Sequence, residues 1–362
     1  MKTILVSLIS DQPIPTLQFI KEKEAVKHIF ISTSAMESKG VADWIITSAK
    51  INIDNVFKII VDPFSYSDVY EKVKGELRND ILYTVNLTGG TKIMTLAVND
   101  ALRKVNSHIF YLLGNTNYIQ IYPNYDSRPF KLKANLNLNE YIEANGFNIK
   151  NNTLPKFDAN SSQKVFDYFL HSFERELDFT ILEDLRTNHR GKKIVDINKI
   201  ANLSSFLTRI GYTPLNESVL EKHEIKFLTG DWLEEFIFYK LWDVHGRLND
   251  CIGTGWVISK NNISNEFDIL FLINDTLRII ECKTSIWKDI NEKENIIAET
   301  IYKADSLKSK FGLFAKTSII TMSDLNSPKL LNQINRASEN GIKVFGRAEM
   351  LNLDLTIDEL LQ

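Results

Sequence analysis

The stretch NEFDILFLINDTLRIIECKTS, residues 265–285, determines the fold of the C-terminal part of the chain. Its two apolar runs predict neighbouring buried strands, and Asp268, Glu281 and Lys283 interrupt that apolar pattern. Because side chains alternate between the two faces of a strand, Glu281 and Lys283 share one face and Cys282 points to the other. A hairpin between the two runs brings Asp268 beside Glu281 and Lys283.

Charged residues in a buried strand need a functional reason, because burying them unpaired is costly. Two carboxylates can hold Mn²⁺ or Mg²⁺, and a neighbouring lysine can orient a water and stabilise charge that develops on a phosphate. We therefore expect Asp268, Glu281 and Lys283 to form a metal-dependent phosphodiesterase site. Glu234, in the upstream helix GDWLEEF, is expected to complete the metal shell, with Glu235 as the alternative.

The succession GDWLEE, NEFDIL and IIECKT resembles the PD-(D/E)xK nuclease superfamily, with Phe267 in place of the proline. This resemblance implies an α/β restriction-endonuclease-like domain over residues 226–362, with Asp268, Glu281 and Glu234 as metal ligands. A long helix predicted over 290–311 carries Tyr302 and Lys303, and in such folds this helix lines the site. For Lys303 itself, a solvent-facing position is the favoured interpretation, and a contact with substrate phosphate is the alternative.

Residues 1–130 alternate between short apolar runs and amphipathic helical stretches. Such alternation implies right-handed crossovers and a largely parallel sheet, so we predict a Rossmann-like domain. The predicted strands are Thr3–Ile9, His28–Ser32, Val56–Val61, Ile81–Asn86, His108–Leu113 and Ile119–Tyr122. Residues 131–225, rich in asparagine at their start, are interpreted as a mainly helical connector.

Three polar loops follow predicted strands and meet at the carboxyl edge of the N-terminal sheet, where open α/β sheets bind ligands. One of them, NLTGGTK, leads into a helix whose N-terminus attracts anions, and its glycines permit close approach of a ligand. The loop is neither a Walker A motif nor a dinucleotide fingerprint. The residues expected to bind a nucleotide-like ligand are Ser10, Asp11, Gln12, Thr33, Thr88, Gly89, Gly90, Thr91 and Lys92.

The segments SDQPIPT and NLTGGTK resemble the CRISPR-associated Rossmann-fold (CARF) sensor domains. Joined to a PD-(D/E)xK domain, the chain resembles the CARF-nuclease effectors of type III CRISPR systems. This resemblance implies a homodimer whose two sensor domains share one cyclic oligoadenylate, most often cyclic tetra-adenylate. It also implies a nuclease that cuts single-stranded RNA or DNA, or nicks duplex DNA, in antiviral defence.

The composition fits a globular protein, with 44% hydrophobic and 25% charged residues. The net charge of −3 argues against coating of nucleic acid through bulk positive charge, but not against a local basic groove. Two cysteines without a CxxC pair favour a reducing cytoplasm, and no apolar stretch approaches the ~20 residues of a membrane span. Two alternatives stay open: a ligand-independent repair or restriction nuclease, and a non-catalytic, ligand-controlled DNA-binding regulator.

Overall fold

The computed structural model describes residues 3–124, 128–171, 176–244, 249–284, 290–312, 314–326 and 328–362. The architecture is α/β, with a largely parallel N-terminal sheet, a mostly helical middle segment and a mixed C-terminal sheet. The fold class predicted from the sequence is thereby confirmed. Within the described residues, every helix is too short or too polar to cross a bilayer.

The N-terminal sheet has seven strands in the described part of the chain, in the order β3-β2-β1-β4-β5-β6-β7. The strands β1 to β5 run parallel, and β6 and β7 are antiparallel additions at one edge. The strands are β1 (Thr3–Leu8), β2 (Lys27–Ser32), β3 (Val56–Ile60), β4 (Leu82–Asn86), β5 (Ser107–Leu113), β6 (Asn117–Tyr122) and β7 (Phe130–Lys131). The helices are α1 (Ile14–Lys23), α2 (Ser34–Lys39), α3 (Val41–Ser48), α4 (Tyr66–Glu76), α5 (Lys92–Leu102) and α6 (Leu138–Ala144).

The order of these strands creates a crevice. The chain leaves β1 towards β2 and β3, and later returns to the other side of β1 as β4. The loops after the neighbouring strands β1 and β4 therefore run in opposite directions along the sheet. The crevice between them is a topological switch point, where doubly wound sheets bind their ligands. Two of the three loops predicted to bind a ligand are these two loops.

The middle segment contributes a strand to the C-terminal sheet. Strand β8 (Asn148–Thr153) pairs antiparallel with β11, so the sheet extends into the range that the sequence assigned to the connector. The rest of this segment is mainly helical and includes a small β9–β10 ladder. Its elements are α7 (Ala159–His171), α8 (Glu176–Asp184), β9 (Ile194–Asp196), α9 (Leu203–Arg209), β10 (Val219–Glu221) and α10 (Lys222–Lys226), with a π-helical turn at Leu185–His189 and a kinked turn at Phe227–Asp231.

The C-terminal sheet has the order β15-β14-β13-β12-β11-β8, antiparallel from β8 to β13 and parallel beyond. Its strands are β11 (Ile252–Lys260), β12 (Ile263–Ile273), β13 (Thr276–Lys283), β14 (Lys316–Thr321) and β15 (Ile342–Phe345). The helices are α11 (Trp232–Val244), α12 (Ile290–Lys308), α13 (Pro328–Glu339), α14 (Arg347–Met350) and α15 (Leu353–Leu361). α12 begins at the predicted residue, 290.

One hydrophobic cluster spans the two sheets. It joins Ile14 and Leu17 of α1, and the buried side chains around α6, to Phe267, Leu270 and other residues on one face of the C-terminal sheet. The buried carboxylate of Asp275 reinforces this seam, because it accepts hydrogen bonds from Gln18 Nε2 over 2.7 Å and from the backbone N–H of Leu136 over 2.8 Å. The N-terminal domain and the C-terminal sheet therefore share a core.

Candidate active site and ligand cavity

The structure brings the three predicted catalytic side chains into contact. Lys283 Nζ lies 3.1 Å from Asp268 Oδ2 and 3.4 Å from Glu281 Oε2. The backbone N–H of Cys282 donates to the same Asp268 oxygen over 2.7 Å, which fixes that carboxylate at the edge of β13. Burial lowers the pKa of Lys283, but the charges of Asp268 and Glu281 outweigh this effect and raise its pKa overall, so the lysine is cationic.

Glu281 is held by a second lysine from α12. Lys303 Nζ lies 3.0 Å from Glu281 Oε1 and 3.1 Å from Oε2, and the glutamate side chain is 0% exposed. Burial and the charge of Asp268 raise the pKa of Glu281, although the two lysines act against that shift. Through Lys303, α12 therefore contacts the candidate site, whereas the sequence favoured a solvent-facing position for this lysine. Tyr302 is 55% exposed and contacts the guanidinium of Arg336.

The structure separates the roles of the two neighbouring glutamates on α11. Glu235 accepts hydrogen bonds from the backbone N–H groups of Lys156 and Phe157, at 3.0 and 3.1 Å, and so holds the segment after β8. Glu234 lies close to Asp268, one of the predicted catalytic carboxylates. Burial, and after it the charge of Asp268, raises the pKa of Glu234 well above its usual range. Both line the same cleft, and Glu234 remains the proposed fourth member of the site.

Two backbone irregularities shape this cleft. The turn Phe227–Asp231 precedes α11 and contains a kink at Gly230, whose backbone is not helical. On the facing strand, the pairing register of β11 shifts beside Gly255, whose φ of 62° requires glycine. Thr254, next to it, donates its hydroxyl to the carbonyl of Asp268 over 2.9 Å. The turn and the bulge together position α11 and Asp268 around one opening.

The cleft has a volume of about 440 Å³ and a basic wall. Most of this wall comes from the middle segment, and its basic residues are Lys156, Arg186, Arg190 and Lys226. Sequence reasoning assigned none of them to the site. The local run RTNHRGKK at 186–193 was the available signal, because clustered basic residues are the footprint of phosphate binding. The arrangement places positive charge opposite the carboxylates, as a cleft for a polyanion requires.

The chemistry of the donor set fits a divalent cation. Asp268, Glu281 and Glu234 offer only oxygen atoms, the donors that Mg²⁺ and Mn²⁺ prefer. Burial, and after it the charge of Asp268, raises the pKa values of Glu234 and Glu281, and nearby lysine charge acts against both shifts. In this conformation, no three acidic, histidine or cysteine side chains of the described residues converge closely enough to hold a metal ion. Lys303 instead contacts Glu281.

A second cavity, of about 640 Å³, lies at the switch point of the N-terminal sheet. Of the nine residues predicted to bind a ligand, the structure places these around it: Ser10, Asp11, Gln12, Thr33, Thr88, Gly89, Gly90 and Thr91. Lys92, the first residue of α5, is exposed, and it is not among the residues that line the cavity. A volume of this size is within the range of ~300–1,000 Å³ for small-molecule sites.

The loop after β4 is built for close packing. A Cβ on Gly89, with its φ of 108°, would lie 3.1 Å from Ser10 Oγ and 3.2 Å from the carbonyl oxygen of Leu8. Thr88 and Thr91 use their hydroxyls inside the protein: Thr88 accepts from the N–H of Leu112, and Thr91 accepts from the N–H of Met94. These hydroxyls therefore support the loop, and its backbone faces the cavity.

Family models match both halves of the chain. Residues 4–141 match the model described as the Card1 CARF domain, and residues 221–361 match the Card1-like endonuclease domain. The chain belongs to the CARF-domain endonucleases. The candidate active site lies in the endonuclease domain, and the switch-point cavity lies in the CARF domain. No curated protein matches the sequence.

Solved structures share the fold of this CARF endonuclease over its whole length. Can2 from Sulfobacillus thermosulfidooxidans, solved in complex with cyclic tetra-adenylate, is 21% identical with a TM-score of 0.76, and 99% of each chain is covered. Protein VC1899 from Vibrio cholerae is 18% identical with a TM-score of 0.73, covering 99% of this chain and 96% of that one. A type III CRISPR defence DNA nuclease activated by cyclic oligoadenylate is 16% identical with a TM-score of 0.55, covering 88% of this chain and 45% of that one.

Proposed function

We propose that this protein is a metal-dependent nuclease that a cyclic oligoadenylate, cyclic tetra-adenylate above all, activates in type III CRISPR antiviral defence. The observation that carries the proposal is the contact of Lys283 with Asp268 and Glu281 in the endonuclease domain, where Asp268 and Lys283 line a cleft with a basic wall. The same chain carries a CARF domain with a cavity at its switch point. Can2, of the same fold, was solved with cyclic tetra-adenylate, which supports the choice of ligand.

In the proposed reaction, Asp268, Glu281 and Glu234 hold Mn²⁺ or Mg²⁺ as in a PD-(D/E)xK site. The cation, when bound, polarises the phosphate and lowers the pKa of a water. Lys283 Nζ, 3.1 Å from Asp268, is placed to orient that water and to stabilise charge on the phosphate. The basic wall with Arg186 and Arg190 binds the phosphates of the substrate, single-stranded RNA or DNA or a duplex that is nicked.

We further propose that the active form is a homodimer. A cyclic oligoadenylate with two-fold symmetry matches an isologous dimer axis, with one switch-point cavity from each protomer. Sedimentation of the protein with and without cyclic tetra-adenylate tests this proposal. A mass of two chains is expected, and a monomer in both conditions would contradict it.

A cleavage assay tests the proposed function. Labelled single-stranded RNA, single-stranded DNA and supercoiled plasmid are incubated with Mn²⁺ or Mg²⁺, with and without cyclic tetra-adenylate. We expect cleavage that needs both the metal and the ligand, and loss of cleavage in EDTA. Equal cleavage with and without the ligand would favour a ligand-independent repair or restriction nuclease. Sequence-specific DNA binding in EDTA, without cleavage under any condition, would favour a DNA-binding regulator.

A further inference from the structure

The cavity of the CARF domain includes one side chain from the endonuclease domain. Phe314 lies between α12 and β14, and it lines the cavity together with the predicted ligand residues. All other described residues around this cavity belong to the CARF domain. The Phe314 side chain is 43% exposed, so its ring is available to a molecule that enters.

The segment that carries Phe314 is anchored on both sides of it. Phe311 is fully buried, stacks on Phe147 with ring centroids 4.6 Å apart, and accepts a hydrogen bond at its carbonyl from Tyr141 over 3.1 Å. Ala315 is 1% exposed. Phe314 therefore projects from a fixed base, which limits the conformational entropy that it would lose on contact with a ligand.

The same segment contacts a loop of the CARF domain that we expect to bind the ligand. Gly312 has a φ of 90°, and a Cβ at this position would lie 2.6 Å from Gln12 Oε1. Gln12 follows β1 and lines the cavity. If a ligand moves the loop after β1, that movement is therefore transmitted directly to the segment that carries Phe314.

The aromatic character of the cavity indicates what Phe314 can recognise. Phe64 and Tyr111 line the same cavity and are 77% and 42% exposed. Large exposed aromatic side chains around a cavity provide stacking platforms for planar bases. A cyclic oligoadenylate presents one adenine per nucleotide, so its chemistry matches these faces.

We propose that Phe314 is a ligand contact supplied by the endonuclease domain, that it stacks on an adenine of the bound cyclic oligoadenylate, and that it links ligand binding to the active site. The inference rests on the proposed function and identifies a residue that regulates it. The link is short: a 3₁₀ turn, Ser309–Phe311, joins the segment to α12, and Lys303 of α12 contacts Glu281. Lys303 and Phe311 lie eight positions apart on the continuous run of α12 and the 3₁₀ turn, a distance of about 12 Å, and two residues separate Phe311 from Phe314. A ligand-induced shift of the segment would therefore be transmitted along this run to Lys303.

The experiment compares full-length wild type with Phe314→Ala and Phe314→Trp. The dissociation constant for cyclic tetra-adenylate is measured by calorimetry, and the cleavage rate is measured without ligand and at saturating ligand. Phe314→Ala is expected to bind about tenfold more weakly, the size of one lost stacking contact, and to reach a lower maximal rate at saturating ligand. Phe314→Trp keeps a stacking face and should retain both affinity and activation.

The control is Phe57→Ala, which removes an aromatic side chain of similar exposure, 48%, from β3, away from the cavity. If Phe314→Ala binds and responds like wild type, the inference is wrong although the proposed function stands. Weaker binding with a wild-type maximal rate would retain the stacking contact and overturn the link through α12. A wild type that neither binds nor responds to the ligand would overturn the proposed function and the inference together.

Discussion

Glu281 is fully buried between two lysine ammonium groups, and this makes it the most informative single residue to change. Glu281→Gln keeps the size of the side chain and removes its charge. We expect the cleavage rate under activating conditions to fall by about a hundredfold or more, because a neutral amide would hold the proposed cation, and with it the charge that develops on phosphate, less well. Glu339→Gln, an exposed glutamate on α13, is the control and should cut normally. A Glu281→Gln protein with the wild-type rate would place the reaction elsewhere.

Gly146 is a residue at which the backbone and the packing both require glycine. Its φ is 77°, and a Cβ would lie 2.5 Å from the ring of Trp44. Gly146→Ala is therefore expected to lower the free energy of unfolding by about 2–4 kcal/mol, from strained backbone and overpacking. The matched control is Gly75→Ala in α4, where a Cβ meets nothing within 4 Å and a stabilisation of about 0.5–1 kcal/mol is expected. Urea unfolding of both variants checks the contrast.

The sequence predicted some site residues and missed others for a physical reason. Asp268, Glu281 and Lys283 stand out because they interrupt apolar strands, and the structure brings them together. Lys303 lies on a helix surface, where a lysine is ordinary, and only tertiary packing reveals its contact with Glu281. The same holds for Phe314, whose importance depends on a cavity in another domain.

At the scale of elements, β8 shows the limit of hydrophobic patterning. Its sequence, NIKNNT, has no apolar alternation because it lies at the edge of the sheet and its side chains are mostly solvent-facing. Backbone pairing with β11 holds it there, and Thr153 adds a hydrogen bond to the carbonyl of Thr254 over 2.7 Å. The central strands β12 and β13 were predictable because strands that are buried on both faces consist of nearly continuous apolar residues.

The π-helical turn at Leu185–His189 is the element that we expect to bind substrate phosphates. Arg186 lies within this turn and Arg190 follows it, both in the wall of the cleft, and Arg190 also pairs with Asp231 at 3.8 Å. Replacing both arginines by alanine should raise the KM for nucleic acid about tenfold, with a smaller effect on kcat, and should weaken the dependence of KM on salt. Arg78→Ala, which removes an exposed arginine of the CARF domain, is the control. An unchanged salt dependence would exclude phosphate contacts by this turn.

At the scale of the whole molecule, Asp275 joins the two domains by hydrogen bonds, and its ionisation makes the free energy of unfolding depend on pH. Burial raises its pKa, against the hydrogen bonds from Gln18 and Leu136 that lower it. The folded state then binds a proton more tightly than the unfolded chain, so the contribution of Asp275 to stability grows as the pH falls from neutral towards its ordinary pKa of 3.8.

Asp275→Asn should remove this dependence, and its left-handed backbone, with φ of 53°, tolerates asparagine. The free energy of unfolding of wild type relative to the variant is expected to rise between pH 7 and about pH 4. Urea titrations at several pH values measure the difference, and Asp358→Asn, at an exposed position in α15, serves as the control. A difference that stays constant or falls in this range would contradict the assignment.

The shared core between α1, α6 and the C-terminal sheet has a practical consequence for protein engineering. Because the CARF domain and the endonuclease domain share one apolar layer, the CARF domain cannot be exchanged as an independent module. A chimera that exchanges the CARF domain for one of another specificity must also transplant the apolar residues of this layer, or redesign them on both sides. Cutting the chain after the first family match, at residue 141, or before the second, at residue 221, would expose that layer to water and invite aggregation.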